Sequence, residues 1–308
     1  MLLSRTARIL GSPRAFLVRR RAAREALLGA AASTTVDDGE GFAFFDARSI
    51  AGSDAVLERA RGILLESRPY LARIQAAARG KLRLTIDLAS DDLHARDPFL
   101  LDFVLRDEIL LPVVAYLRTA PYLARLSLPL SLHLPELSTP DFHQRFHLDN
   151  DDARQVKLFV NAQEVEPADG PLSFLPARAT RRVLDGLRRE GREASGYATL
   201  ADADVFRHAD PSEVVRLVGP AGRGVLVDAS RCLHFGSRVA AGRERFLLAA
   251  VFLRFHRVRE NVSSQLPAAP PGSDLLHRLA LDPPRRRPPG TFLPDPLAPY
   301  RGRGGSAA

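Results

Sequence analysis

The stretch from residue 142 to residue 160 decides the fold, and it reads FHQRFHLDNDDARQVKLFV. The segments on either side of its centre are apolar and aromatic, which is typical of β-strands. Between them, His147 and Asp149 are separated by a single residue. Because side chains of an extended chain alternate between two faces, this spacing points both side chains the same way. The stretch therefore predicts a polar pair presented by a β-rich domain.

A second histidine completes a metal-binding pattern. His234 follows a strand predicted at 225–227. Two imidazoles and one carboxylate form the facial triad that holds non-heme iron in oxygenases. Cys232 could also be a ligand, but a small buried strand residue is the better interpretation. The candidate metal ligands are therefore His147, Asp149 and His234.

Other histidines compete for these roles. His208 and Asp210 have the same spacing, but they run into Pro211 in a polar stretch, which favours a loop or helix-cap pair. His143 shares a strand face with His147 and could line a pocket. No carboxylate follows His143 at the required spacing.

Three segments together resemble the phytanoyl-CoA dioxygenase-like branch of the Fe(II)/2-oxoglutarate dioxygenases. They are HLDNDDARQVKLFVNAQEVEPADGPLSFLPA (147–177), GVLVDASRCLHFGSR (224–238) and RERFLLAAVFL (243–253). The resemblance implies a double-stranded β-helix, a jelly-roll barrel related to the cupins. We accordingly expect a mainly β fold with flanking helices, and with the helical layer on one side of the barrel. Residues 177–180 depart from the family pattern, which often has a Gly-Ser-His-like sequence there.

The resemblance also implies a reaction. His147, Asp149 and His234 would bind Fe(II), and 2-oxoglutarate and O2 would be the co-substrates. The enzyme would hydroxylate a C–H bond of a small organic substrate of unknown identity, with succinate and CO2 as co-products. The carboxylate of Asp149 argues against halogenation, because halogenases of this class lack it.

Two basic residues are the candidates for binding 2-oxoglutarate. In the family, an arginine about eleven residues after the last ligand binds the far carboxylate of 2-oxoglutarate, and Arg245 has this position. Arg243 is its rival, and the family spacing favours Arg245. Lys157 is one of only two lysines in the chain. It lies close to the predicted metal strand and could contact 2-oxoglutarate or substrate, the alternative being a solvated strand face.

Two other functions remain open. The chain could be a cupin-like metal-binding or non-catalytic protein that has lost oxygenase activity, or a zinc hydrolase with the same three ligands. Arg245 separates these alternatives, because a hydrolase has no need of a buried arginine at that position.

Composition and charge place the remaining limits. The 308 residues carry a formal net charge of +8, but seven arginines against one glutamate lie in residues 1–31 and six arginines against three aspartates in residues 266–308. The body is nearly neutral, so we expect no nucleic-acid partner. A single cysteine excludes an intrachain disulfide, and no apolar run is long enough for a membrane span. We therefore expect a cytoplasmic protein.

The sequence predicts three regions: a basic N-terminal segment (1–31) that is partly helical or flexible, one dioxygenase domain (32–265), and a Pro/Arg/Gly-rich tail (266–308) that is expected to be disordered. Apolar periodicity and breaker residues predict the elements within them. Helices are expected at 14–30, 56–74, 97–118 with a kink or break at Pro112, and 181–192. Strands are expected at 82–88, 126–134 with a break at Pro129, 142–146, 156–160, 172–175, 214–218, 225–227 and 246–255.

Overall fold

The computed structural model describes residues 13–30, 32, 34–77, 84–89, 96–135, 139–192, 199–254 and 266–282. Some sequence expectations fall outside these residues. They are residues 1–12 of the N-terminal segment, 82–83 of a predicted strand, residue 255 of another, and 283–308 of the tail.

Two antiparallel sheets form the centre of the described structure. The larger has the order β1-β8-β5-β10-β4-β2, with β3 also paired to β10, and the smaller has the order β7-β6-β9. The strands are β1 (Phe42–Asp46), β2 (Thr85–Asp87), β3 (Tyr122–Ser127), β4 (Pro129–Leu132), β5 (Gln155–Asn161), β6 (Ser173–Phe174), β7 (Val215–Arg216), β8 (Arg223–Val227), β9 (His234–Phe235) and β10 (Glu244–Leu253).

The two sheets pack face to face through aromatic side chains. Phe174 of β6 lies with its ring centre 5.0 Å from that of Phe42 on β1 and 6.5 Å from that of Phe44. Val225 and Val227 of β8 belong to the same buried cluster. Strands that enclose a core between two antiparallel sheets are the arrangement of a jelly roll. The predicted fold class, mainly β with flanking helices, is confirmed.

The described residues form eight α-helices. They are α1 (Pro13–Gly29), α2 (Ser53–Ser67), α3 (Leu71–Ala77), α4 (Pro98–Val104), α5 (Asp107–Leu117), α6 (Ala177–Arg189), α7 (Asp202–Val205) and α8 (Leu275–Ala280). Residues of α1 to α5 and of α8 pack against the other face of the large sheet, whereas α6 and α7 contribute to a separate apolar cluster with the small sheet. Alternate residues of β5, from Val156 to Val160, pack with α2, α4 and α5 in the largest apolar cluster. Fully burying each such aliphatic side chain contributes about 1.5–3 kcal/mol.

The alternation along β5 gives its two faces different roles. Val156, Leu158 and Val160 point to the helices, so Gln155, Lys157, Phe159 and Asn161 point to the interior between the sheets. The central strand β10 alternates in the same way, and its residue Arg245 lies on the inner face. Polar side chains of these two adjacent strands therefore point into the barrel interior.

Two helix predictions were wrong in detail. The helix expected at 97–118 breaks at Leu105 and Arg106, and Pro112 lies within α5 without splitting it. The helix expected at 56–74 is interrupted at Arg68–Tyr70 by a 3-10 turn that contains Pro69. Proline lacks an amide hydrogen and restricts the residue before it, which accounts for this second break.

One strand prediction was also wrong. Residues Phe142–Gln144 form a 3-10 turn, and the following residues are extended but make only isolated bridges, Phe146 with Leu200 and His147 with His234. The chain therefore reaches the predicted metal ligands as a short extended segment. The predicted break at Pro129 is confirmed, because β3 ends at Ser127 and β4 begins at Pro129.

The two ends of the described chain pack on the domain. Arg19 of α1 is 2% exposed and donates hydrogen bonds to the carbonyl oxygens of Ala120, Pro121 and Asp282. Leu276 and Ala280 of α8 are buried. Within the region expected to be the tail, residues Leu275–Ala280 thus form a helix.

None of the described helices is long and apolar enough to span a membrane.

Candidate metal centre

His147 and His234 form an antiparallel pair. The backbone N–H of each donates to the carbonyl oxygen of the other at 3.0 Å, and the centres of the two imidazole rings are 4.2 Å apart. The pair joins the extended segment before β5 to β9 of the small sheet. Residues that pair directly across strands present their side chains on the same face.

Both imidazoles are oriented by the same local hydrogen bond. Nδ1 of His147 lies 2.9 Å from the carbonyl oxygen of Arg145, and Nδ1 of His234 lies 3.0 Å from that of Cys232. A carbonyl oxygen can only accept, so Nδ1 carries the hydrogen in each neutral ring and Nε2 carries the lone pair. Fixing the tautomer through the second nitrogen is how proteins orient metal-binding histidines.

Asp149 lies beside the two histidines. Its backbone N–H donates to the carbonyl oxygen of Ala229 at 2.9 Å, and its Oδ2 is 3.5 Å from Nε2 of His234. One ligand atom from each of His147, Asp149 and His234 lies within 4.8 Å of the others. This is the one cluster of three or more such side chains found among the described residues.

The protonation states suit a metal ion. Burial raises the pKa of Asp149, but the charge of Lys157 and the two imidazoles outweigh this effect and hold that pKa below its usual range. Burial, together with His147, lowers the pKa of His234 to about 3. A carboxylate and a neutral imidazole are the forms that bind metals.

Lys157 contacts the carboxylate of the cluster. Its Nζ forms an ion pair with Oδ2 of Asp149, and its side chain is 19% exposed. The alternative of a solvated strand face is therefore wrong, because the ammonium lies in the barrel interior. Its role as a contact of 2-oxoglutarate stays a prediction.

The other histidines considered as ligands, His208 and His143, are not among the three clustered side chains. Nε2 of His208 lies 3.0 Å from Oε1 of Glu190, and Asp210 caps a 3-10 turn by accepting from the N–H of Ser212. The ring of His143 is 5.3 Å from that of His147, so His143 borders the cluster. The expected loop or cap role of the second His-x-Asp pair is confirmed.

Cys232 is turned away from the cluster. Its Sγ lies 3.5 Å from the carbonyl oxygen of Glu40 and 3.8 Å from that of Gly41. Burial, together with Asp228, raises the pKa of its thiol above the usual range. The carbonyl oxygen of Cys232, not its sulfur, serves the site by accepting from His234.

A buried carboxylate supports the loop that leads to His234. Asp228 accepts hydrogen bonds from the hydroxyl of Tyr116 at 2.6 Å and from the backbone N–H of Ser230 at 3.0 Å. The carbonyl oxygen of Asp228 accepts from the N–H of Cys232 at 2.9 Å. Tyr116 comes from α5, and the sequence gave no indication that it reaches this loop.

Arg245 is a buried guanidinium. It is 6% exposed and donates to the carbonyl oxygen of Gly170 at 2.6 Å and to the hydroxyls of Ser131 and Ser237 at 3.0 and 3.2 Å. Its Nε has no hydrogen-bond partner, and none of the described carboxylates pairs with it. Burial lowers its pKa to about 10, which leaves it charged at neutral pH.

Three hydroxyls surround this guanidinium, and the sequence predicted none of them. Ser131 stands opposite Arg245 in the register of β4 and β10. Its Oγ lies 2.9 Å from that of Ser237, which in turn lies 3.1 Å from Oγ1 of Thr85. The group combines one fixed positive charge with neutral donors, which is the chemistry of a carboxylate-binding site.

A short segment connects the arginine to the metal-ligand cluster. His234 is followed by Phe235, Gly236 and Ser237, so the two parts of the site are three residues apart. A Cβ on Gly236 would lie 2.8 Å from a guanidinium nitrogen of Arg245. Glycine at this position therefore permits the arginine to lie beside the metal-ligand strand.

Comparisons with known proteins give structural neighbours only. No family model matches the chain, and no curated protein matches it. Solved structures that align include the non-heme alpha ketoglutarate dependent epimerase SnoN from nogalamycin biosynthesis, with 14% identity, a TM-score of 0.40, and coverage of 70% of this chain and 78% of SnoN.

Two further neighbours were crystallised with metals. HygX from Streptomyces hygroscopicus, with nickel and 2-oxoglutarate bound, has 16% identity and a TM-score of 0.44. The alignment covers 75% of this chain and 87% of HygX. EctD from S. alaskensis, with bound Fe, has 18% identity and a TM-score of 0.44, and the alignment covers 74% of this chain and 75% of EctD. Because these values are low, the site is interpreted from the residues of this chain.

Proposed function

We propose that the protein is an Fe(II)- and 2-oxoglutarate-dependent dioxygenase that hydroxylates a C–H bond of a small organic substrate. The observation that carries the proposal is the buried guanidinium of Arg245, which has no acidic partner among the described residues and lies next to a cluster of two histidines and one aspartate. The finer assignment to the phytanoyl-CoA dioxygenase-like branch rests on the sequence resemblance alone. The domain limits 32–265 and a cytoplasmic location are likewise proposals.

The donor set fits iron. His147 and His234 would each offer Nε2, and Asp149 would offer one carboxylate oxygen, which leaves further coordination positions open on the metal. The bonds from both Nδ1 atoms to backbone carbonyls keep the rings in the required tautomer. When bound, Fe(II) with 2-oxoglutarate and O2 supplies the oxidation of a C–H bond, while 2-oxoglutarate leaves as succinate and CO2.

The arginine site fits the far carboxylate of 2-oxoglutarate. Isolating a charged group from water is costly unless an opposite charge or several hydrogen bonds compensate. Arg245 has three hydrogen bonds to neutral oxygens and an unused Nε, so an anion would complete its surroundings. The carboxylate would accept from the guanidinium and from the hydroxyls of Ser131 and Ser237.

The separation of the two parts suits a short dicarboxylate. Ser237 is the third residue after His234, which limits their Cα atoms to about 11 Å apart. A dicarboxylate of five carbons can place one end at the metal and the other at the arginine within such a distance. We propose that Lys157 holds the carboxylate of Asp149 in place and adds positive charge near the bound co-substrate.

The test is anaerobic binding followed by turnover. Protein loaded with Fe(II) should develop the charge-transfer absorption of an Fe(II)–2-oxoglutarate chelate when 2-oxoglutarate is added. With oxygen and ascorbate, it should then release succinate. A protein that binds iron but not 2-oxoglutarate would instead support the non-catalytic alternative. Tight zinc binding together with esterase or amidase activity would support a hydrolase.

A further inference from the structure

Gln155 is a buried amide without a hydrogen-bond partner. It is the first residue of β5 and is 0% exposed. Neither its Nε2 nor its Oε1 has a hydrogen-bond partner among the described residues. Leaving a buried polar group unsatisfied costs about 1–3 kcal/mol, so such an amide requires a reason other than stability.

The position of Gln155 relates it to the metal-ligand cluster. It precedes Lys157 by two residues on the same strand, so both side chains lie on the inner face. Two residues of extended strand span about 7 Å. Because Lys157 contacts Asp149, the amide lies one strand repeat from the residue that pairs with a candidate metal ligand.

The cross-strand neighbours of Gln155 are apolar. In the register of β5 and β10, Gln155 faces Leu253 and Lys157 faces Val251. Leu253 and Val251 belong to a small apolar cluster with Tyr122 and Ala124. The side chains of Leu253 and Val251 can neither donate to nor accept from the amide, so these neighbours leave it available to a bound molecule.

We propose that Gln155 recognises a neutral hydrogen-bonding group of the substrate, such as a carboxamide or a hydroxyl on a mainly apolar body. An amide carries both a donor and an acceptor but no charge, which matches a neutral group better than a carboxylate or an ammonium. The apolar residues beside it suit the remainder of such a molecule. This inference rests on the proposed function, because it places the substrate beside the Fe(II) and 2-oxoglutarate site.

The recognition site lies on the opposite side of Lys157 from Arg245. Along β10, Arg245 precedes Val251 by six residues, and Leu253 follows it by two. The two ends of the inner face would therefore differ in selectivity. The Arg245 end would take an anion, and the Gln155 end would take an uncharged polar group.

The experiment uses two probes of matched shape. Isotope-labelled full-length protein is loaded with Zn(II), which is diamagnetic, and with 2-oxoglutarate, and the affinity for each is measured first. Isobutyramide and 3-methyl-2-butanone are then titrated while the side-chain amide signals are followed by NMR. The two molecules differ in having NH2 in place of CH3. Isobutyrate serves as the anionic probe.

Two variants accompany the titrations. Gln155→Met removes the amide but keeps a side chain of similar length. Gln163→Met is the matched control, since Gln163 lies just beyond the other end of β5 and its Nε2 donates to the carbonyl oxygen of Glu244. The amide signals absent from Gln155→Met identify the resonances of Gln155.

The expected result is that isobutyramide shifts the Gln155 signals and binds about tenfold more tightly than the ketone. This preference should disappear in Gln155→Met and persist in Gln163→Met. Gln155→Met should unfold at a temperature no lower than the wild type, because it removes an unsatisfied polar group.

Equal affinities for all probes, a preference for isobutyrate, or a destabilised Gln155→Met that keeps the amide preference would each overturn the proposal. A failure of the wild type to bind 2-oxoglutarate in the first step would instead overturn the proposed function.

Discussion

Arg243 and Arg245 are two residues apart in sequence, but their surroundings are opposite. Arg243 is 41% exposed, and its guanidinium pairs with Glu166 and with Asp169, the latter at 2.7 Å. Arg245 is buried and contacts only neutral oxygens among the described residues. Arg243 is already neutralised, so Arg245 is the residue available to an anionic co-substrate.

The first prediction follows from this difference. Arg245→Lys keeps a positive charge but loses the paired N–H donors of the guanidinium. The binding free energy of 2-oxoglutarate should therefore weaken by about 1.5–3 kcal/mol, the contribution of a charge-assisted hydrogen bond. Isothermal titration under anaerobic conditions measures this change. Arg243→Ala is the control and should bind 2-oxoglutarate as the wild type does. A loss in Arg243→Ala, with Arg245→Lys unchanged, would transfer the role to Arg243.

The second prediction concerns the metal ligands. Alanine at His147, Asp149 or His234 should abolish stoichiometric Fe(II) binding while the far-ultraviolet circular dichroism stays that of the folded protein. Iron content after anaerobic loading and desalting is the measurement. The double variant His208→Ala, Asp210→Ala removes the other His-x-Asp pair and should retain iron. Full iron in His147→Ala, His234→Ala would show that the ligands lie elsewhere.

The third prediction concerns pH. Burial raises the pKa of Asp152 to about 6, above its unfolded value, although its Oδ1 accepts from the N–H of Ala153. The folded protein thus holds this proton more tightly than the unfolded chain. The stabilising contribution is present below about pH 4 and is lost as the pH rises through 6. It amounts to about 3 kcal/mol, because each tenfold change in proton affinity corresponds to about 1.4 kcal/mol.

Asp152→Asn should remove this dependence, because asparagine does not ionise. The free energy of unfolding of the wild type, measured relative to Asp152→Asn by urea denaturation, should decrease between pH 4 and pH 7. Asp151→Asn is the neighbouring control and should follow the wild type. A constant difference across this range would contradict the prediction.

The fourth prediction concerns the N-terminal segment, which the sequence predicted to be partly helical or flexible. Arg19→Met leaves the carbonyl oxygens of Ala120 and Pro121 without their donor, so we expect a loss of roughly 3 kcal/mol in the free energy of unfolding. Thermal and urea denaturation measure it. Arg24→Met, at an exposed position of the same helix, should change little. Equal stability of the two variants would restore the view that this segment adds little to the domain.

The sequence could predict the site where the information is local. The spacing of His147 and Asp149 follows from strand alternation, and the position of Arg245 followed from the family spacing. The hydroxyls of Thr85 and Ser131 could not be found in this way, because the pairing of distant strands brings Ser131 to Arg245 and Thr85 to Ser131. Nothing in the residues adjacent to a serine indicates which strand will lie beside it.

The errors in the fold have physical causes too. Pro112 lies within α5 because this helix is buried in the core, and packing of its apolar residues outweighs the missing hydrogen bond. The predicted strand before His147 is a turn followed by isolated bridges, although its composition favours extended structure. Propensity describes what a segment can adopt, and tertiary contacts select among the options.

The placement of Arg245 on β10 and of the histidines on short bridges has a consequence for hydrogen exchange. β10 is hydrogen-bonded on both sides, to β5 on one and to β3 and β4 on the other, whereas β9 has two residues. The amides of β10 should exchange with solvent only on global unfolding, while those around His234 should open locally. A bound metal would link the two segments, so it should slow exchange at His147 and His234 and leave β10 unchanged. The arginine that we propose binds the co-substrate thus belongs to the slowest-exchanging part of the molecule. The proposed metal ligands belong to a part whose order the metal itself would complete.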